Sequence, residues 1–117
     1  MRAPLLAVVL PLALAMGACK SRTLEPLPLD VTIQASKTTP APGETVAFVV
    51  QAQGGQLFGV EISYGDAATD LFETGGARTA RITFQHAYAA AGTYRARATV
   101  TDVVAGEKST EVEIRVQ

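Results

Sequence analysis

Gly92-Thr93-Tyr94-Arg95-Ala96-Arg97-Ala98-Thr99-Val100-Thr101-Asp102 alternates without a break. Tyr94, Ala96, Ala98 and Val100 fall on one side of an extended chain, and Arg95, Arg97, Thr99 and Thr101 on the other. Successive side chains of extended backbone point to opposite faces, so this period of two predicts a half-buried β-strand. The same period recurs on both sides of it. Val31, Ile33 and Ala35 alternate with polar residues, as do Val46, Phe48 and Val50; Phe58, Val60, Ile62 and Tyr64; Ala80, Ile82 and Phe84; and Val112, Ile114 and Val116. Breakers stand between the runs: Thr39-Pro40-Ala41-Pro42-Gly43, Gly54-Gly55, Gly65-Asp66, Gly75-Gly76 and Gly106. Leu71-Phe72 lies in a less regular stretch before Gly75-Gly76. No window from Asp30 onward carries a stripe of helical period, and the alanine-rich residues 86–91 are too few to hold a helix unaided. Six or seven short strands, each with one apolar face, predict an all-β, antiparallel two-sheet sandwich of about seven strands.

Three short segments narrow this further. Ile62-Ser63-Tyr64-Gly65-Asp66 closes one strand, Phe84-Gln85-His86-Ala87-Tyr88 closes another, and Gly92-Thr93-Tyr94 and Val100-Thr101-Asp102 bracket the strand quoted above. Together they resemble the PKD (polycystic kidney disease) domain family. In that family a strand ends in a Trp-Asp-Phe-Gly-Asp-Gly-like turn, followed later by His-x-Tyr, a short loop, Gly-Thr-Tyr and a strand ending in Thr-Asp. Pro42-Gly43-Glu44-Thr45-Val46-Ala47-Phe48 is similar to the lead-in to the family's second strand. The resemblance spans residues 30–117 and implies an immunoglobulin-like sandwich in which Gly65, Asp66, His86, Tyr88, Gly92, Tyr94 and Asp102 are structural motif residues. Two positions depart from the pattern: Ile62 replaces the tryptophan, and Ala67 replaces the closing glycine. Ile62 still fills a core position with less area, whereas Ala67 strains a turn that calls for positive φ, so this turn is expected to be altered in shape.

The same residues have roles that need no family. Gly92 gives backbone freedom to a tight loop after Ala89-Ala90-Ala91. Tyr94 is a candidate tyrosine corner, its hydroxyl bonded to nearby backbone. Asp66 and Asp102 stand at strand ends, where carboxylates accept backbone N–H bonds.

Ahead of the sandwich, Met1-Arg2-Ala3-Pro4 leads into an apolar run from Leu5 to Met16, and Gly17-Ala18-Cys19 follows. A basic start, a short apolar run and small residues make a signal peptide, residues 1–18. The run is too short for a membrane span, which needs about 20 apolar residues, and Pro11 interrupts it. Met16-Gly17-Ala18-Cys19 resembles a bacterial lipobox, which implies acylation, including palmitate, of Cys19 as the first mature residue. An ordinary secretory signal would instead leave a free thiol at an exported terminus. Several acyl chains at ~0.8 kcal/mol per buried methylene hold firmly. Lys20 stands where the family's inner-membrane retention signal has aspartate, so the outer membrane is expected if the cell has two. Residues 19–29 form a tether: Leu24-Glu25-Pro26-Leu27-Pro28-Leu29 favours extended, polyproline-like backbone.

Loss of residues 1–18 leaves nine basic and eleven acidic residues, a net charge near −2. No basic face can be assembled from that balance, which argues against nucleic acid or polybasic membrane docking. With Cys19 committed to lipid no disulfide forms, and the core alone must stabilise the domain. Catalytic chemistry finds little footing. His86 is the one histidine, no serine sits in a nucleophile elbow, and a zinc site lacks ligands. Neither a cofactor nor a bound metal is expected. Asp66, Asp70 and Glu73 are the carboxylates that calcium would use, in a spacing unlike any EF-hand, and a solvated acidic loop explains them as well. Val103-Val104 occupies a turn where polar residues are usual; with Leu57 and Leu71-Phe72 it is a candidate contact patch. Arg95 and Arg97 share a face with Glu111, Glu113 and Arg115, which cross-strand charge pairing explains.

The expected protein is therefore a cell-envelope lipoprotein, held to the membrane by its N-terminal lipid. Its single domain would be a non-catalytic binding or adhesion module for an envelope or extracellular protein or a glycan. The alternative is a structural spacer or subunit of an envelope assembly with no ligand of its own.

Overall fold

A computed structural model describes residues 27–117, so the expected signal peptide, Cys19 and the expected tether up to Pro26 lie outside the described residues. The chain forms five antiparallel strands: β1 Asp30–Ala35, β2 Thr45–Ser63, β3 Thr69–Ala87, β4 Gly92–Asp102 and β5 Gly106–Val116. They join in the order β1-β2-β4-β5, with β3 on the other side of β2. The fold is all-β, but five continuous strands replace the expected seven or so.

The difference has one cause. β2 and β3 are 19 residues each and pair along almost their full length. Gly54-Gly55 and Gly75-Gly76 therefore do not end strands; they lie within irregular pairings. Between Gln53↔Thr79 and Leu57↔Ala77, residues 54–56 of β2 face only Arg78, and between Leu57↔Ala77 and Gly59↔Glu73 residues 74–76 of β3 face only Phe58. Extra residues first on one strand and then on the other bend and twist a ladder without breaking it. Beyond the bend β2 also changes its second neighbour. Residues 48–53 pair with β1, whereas 57–63 pair with β4.

Both arms of the bent sheet give their apolar faces to one cluster. Val46, Phe48, Val50, Ile82 and Phe84 come from one arm, and Val60, Ile62, Ala96, Ala98, Val100 and Ile114 from the other. Each large side chain buried this way contributes about 1.5–3 kcal/mol. Ile62, in the place of the family's tryptophan, is fully buried. At the irregular pairing the simple alternation misleads. Phe58 reads as in phase with Val60 and Ile62, yet it is 65% exposed, and Leu57, expected near a loop, is fully buried. The register shift between Leu57 and Gly59 turns the one outward and the other inward.

Candidate functional site

Strand register places the turns at two opposite ends. Val46 lies opposite His86 and Gln53 opposite Asp30 and Thr79, while β4 runs from Gly92 to Asp102, which pairs with Leu57. One end therefore holds residues 27–30, Gly54-Gly55 and the β4–β5 turn at 103–105. The other, roughly 33 Å away at 3.3 Å per residue of β4, holds the 64–68 turn and the 88–91 loop.

The far end is a chain of rings and carboxylates. Tyr64 stacks on His86 with centroids 3.9 Å apart and planes within 7°. His86 meets the edge of Tyr88 at 4.8 Å, and Tyr88 stacks on Tyr94 at 4.5 Å. Polar tips find partners at every step. The Nε2–H of His86 donates to Asp66 Oδ2 at 2.6 Å, and the other carboxylate oxygen accepts the Ala68 amide at 3.2 Å. The Tyr64 hydroxyl donates to Asp70 at 2.6 Å, the buried Tyr88 hydroxyl to the Tyr64 carbonyl at 2.9 Å, and the Tyr94 hydroxyl to the Ala90 carbonyl at 2.9 Å. Gly92 opens β4 against the Tyr94 ring, 3.5 Å from where its Cβ would be.

Charge states follow from these contacts. Burial pulls the Asp66 carboxyl up, but the His86 bond and the Ala68 amide outweigh it and hold it below its ordinary value. Burial, and then the bond to Asp70, push the Tyr64 phenol up; burial, and then the negative Asp66, push that of Tyr88 up to about 12. Both phenols stay protonated donors. The turn itself is tight: Gly65 has φ +89° and Ala67 φ +75°, so the alanine keeps the left-handed conformation under strain instead of reshaping the turn as expected. Tyr64 N–H donates to the Ala68 carbonyl at 3.1 Å and closes the turn.

At the tether end Asp102 is 2% exposed and accepts the amides of Gln56 (2.5 Å), Ala105 (2.8 Å) and Val104 (2.9 Å). Burial raises its carboxyl, and those amides with that of Gly55 outweigh the rise and hold it low. Val103 and Val104 stand out of the turn it organises, 61% and 71% exposed. They join no patch with Leu57, which is buried. Leu71 and Phe72 are exposed, but as neighbours on β3 they face opposite sides, one across from Glu61 and the other across from Val60. Phe58 takes the place expected of Leu57 and lines a groove of about 360 Å³ with Val103, Gln56, Glu73, Gly75 and Gly76.

The calcium candidates are not gathered. Asp66 and Asp70 are engaged by His86 and Tyr64, and Glu73 stands three residues past Asp70 on β3, opposite Gly59. Among the described residues no three His, Cys, Asp or Glu side chains come close enough to hold a metal ion. Arg95 pairs with Glu111 at 3.4 Å, a cross-strand contact at an exposed face.

The alternating pattern sets Phe58 and Tyr64 alike on an apolar face; Tyr64 is buried there and in addition stacks on His86, whereas Phe58 is exposed. A signal for the bend was present: Gly54-Gly55 and Gly75-Gly76 lie nearly equidistant from Gly65, as facing irregularities of one hairpin must.

A model of the PKD domain family matches residues 30–116. Three solved structures are similar. The PKD domain of an M14-like peptidase from Thermoplasmatales archaeon SCGC AB-540-F20 is 22% identical with a TM-score of 0.62, over 78% of this chain and 94% of that one. The PKD domain of the human VPS10 domain-containing receptor SorCS2 is 24% identical with a TM-score of 0.57, over 79% and 74%. A CARDB domain from Pyrococcus furiosus, in complex with di-metal ions, is 19% identical with a TM-score of 0.60, over 79% and 89%. At such identities the likeness is one of fold. No curated protein matches the chain.

Proposed function

The chain belongs to the PKD domain family, and from that premise we propose that it is a lipid-anchored, non-catalytic binding or adhesion module of the bacterial cell envelope. The two arms of the bent five-stranded sheet close over one core as an immunoglobulin-like sandwich. Cys19 carries the lipid, in the outer membrane where two membranes exist, and the domain meets an envelope or extracellular protein or a glycan.

The observation that carries this reading is the commitment of the reactive groups. The Nε2 of His86, the carboxylates of Asp66 and Asp102 and the hydroxyls of Tyr64 and Tyr88 are all engaged in internal bonds. General base or nucleophilic catalysis needs such a group aimed at a substrate instead. What the chain offers is surface, with the 64–68 and 88–91 loops at the end away from the tether.

Tagged full-length protein recovered from detergent-solubilised envelope tests it. A soluble protein or glycan in the eluate, lost on washing with excess free ligand, supports the module. One stoichiometric envelope complex supports the structural-subunit alternative. A hydrolytic activity lost in Asp66 and His86 variants would overturn both.

A further inference from the structure

We propose that the tether end of the domain rests against the bilayer, with Val103, Val104 and Phe58 entering the boundary between headgroups and acyl chains. The inference rests on the lipid-anchor reading above and adds an orientation and a second membrane contact to it.

The chain arrives where these residues stand. Gln53 Nε2 donates to the Pro28 carbonyl at 3.3 Å, Lys108 Nζ donates to the Leu29 carbonyl at 3.4 Å, and Lys108 pairs with Asp30 at 3.3 Å. A Cβ placed on Gly54 would lie 3.2 Å from Leu29 and 2.8 Å from Asp102, so the last tether residues sit beside the root of the 103–105 turn. Eight residue-to-residue steps lead from Cys19 to Leu27. Fully extended, they reach at most about 28 Å. An anchor at Cys19 therefore holds this end, and not the 64–68 end, within reach of the membrane surface. Held at such short range, the surface contact forms at a high effective concentration.

The chemistry of this end suits an interface. Phe58 (65% exposed), Val103 and Val104 form its apolar part, with Leu27 (38% exposed) on the arriving chain. Backbone N–H groups without partners would oppose entry into a region poor in water. Here the Val103 amide donates to the Gln56 carbonyl at 2.9 Å, and the Val104 and Ala105 amides donate to Asp102. The turn thus presents valine side chains on a backbone already satisfied. Glu73 lines the same groove, Glu107 follows the turn, and Lys108 is paired with Asp30. With no basic excess at this end, the contact is apolar and suits zwitterionic phospholipid rather than an anionic surface.

The chain has no tryptophan, so Val104→Trp, Phe58→Trp and, as the far-end control, Ala89→Trp each report one position. The acylated full-length variants are reconstituted in phosphatidylethanolamine–phosphatidylcholine vesicles, with and without phosphatidylcholine brominated high on the acyl chain. The expected result is at least twofold quenching with a blue shift for Val104→Trp or Phe58→Trp and none for Ala89→Trp, unchanged by added phosphatidylglycerol. Equal, water-like emission from all three in protein that co-floats with vesicles leaves the anchor standing and overturns the apposition. So does quenching that disappears on adding envelope extract, which would mean a protein covers the patch. Protein that fails to co-float removes the anchor and the inference together.

Discussion

Two substitutions two residues apart in the 64–68 turn should move stability in opposite directions. Ala67 holds φ +75° and is exposed, so replacing it with glycine removes no packing. A Cβ in the left-handed region costs about 1–2 kcal/mol, and the extra freedom of glycine in the unfolded chain returns about 0.4–1 kcal/mol of that. Ala67→Gly should therefore stabilise by about 0.5–1 kcal/mol, which raises Tm by about 2–8 °C in a domain of this size. Gly65 presents the converse case. It holds φ +89°, and a Cβ there would lie 2.8 Å from the carbonyl oxygen of Arg95 and 2.9 Å from its nitrogen, backbone atoms that cannot rotate aside. Backbone strain of about 1–3 kcal/mol then adds to an overpacking cost of about 1–3 kcal/mol. Urea and thermal unfolding followed by circular dichroism measure both. A neutral or destabilised Ala67→Gly with an unchanged urea slope would refute the claim that this turn demands positive φ, and a Gly65→Ala of wild-type stability would refute the packing of the turn against β4.

Tyr94→Phe should destabilise by about 1 kcal/mol, because it leaves the Ala90 carbonyl without its partner; an unchanged urea midpoint would remove that bond from the account. Asp66 binds its partners as the carboxylate and its folded pKa is lowered, so its contribution is complete above the unfolded value of about 3.9 and is lost as pH falls through the folded one. Asp66→Asn should be less stable than wild type near neutral pH and should lose less on acidification below about pH 4, whereas parallel acid profiles would contradict the His86–Asp66 assignment. Cys19→Ser should move the protein from membrane to soluble fractions; a variant that still pellets with membranes would sink the lipid anchor. Calcium should leave Tm unchanged, since Asp66 and Asp70 are already engaged, and a concentration-dependent rise would show a site that the apo geometry conceals.

The elements read most easily were those whose pattern is local. In β4 and β5 the alternation places the core faces correctly: Ala96, Ala98, Val100, Ile114 and Val116 are buried and Val112 is half-buried. Gly65 announced the turn because tolerance of positive φ is a property of a single residue's own sterics, whereas the positive φ of Ala67 runs against its own. The far-end cluster was half legible. Asp66, His86, Tyr88 and Tyr94 stood out as motif residues, but the stacking of Tyr64 on His86 joins positions 22 apart and has no local signature.

The sequence by itself determined that the chain is all-β, where its apolar faces lie in each regular strand, and that the tight turn lies at Gly65-Asp66. Period two and glycine sterics are written residue by residue, so they survive without knowledge of any partner strand. Only the tertiary structure decided that β2 and β3 run through their glycine pairs as one bent hairpin, that Leu57 turns in while Phe58 turns out, and that Val103 and Val104 share an end with the tether. Those outcomes depend on register, on which residue of one strand faces which of another, and a bulge that shifts register by a residue reverses inside and outside without altering the pattern read along the chain.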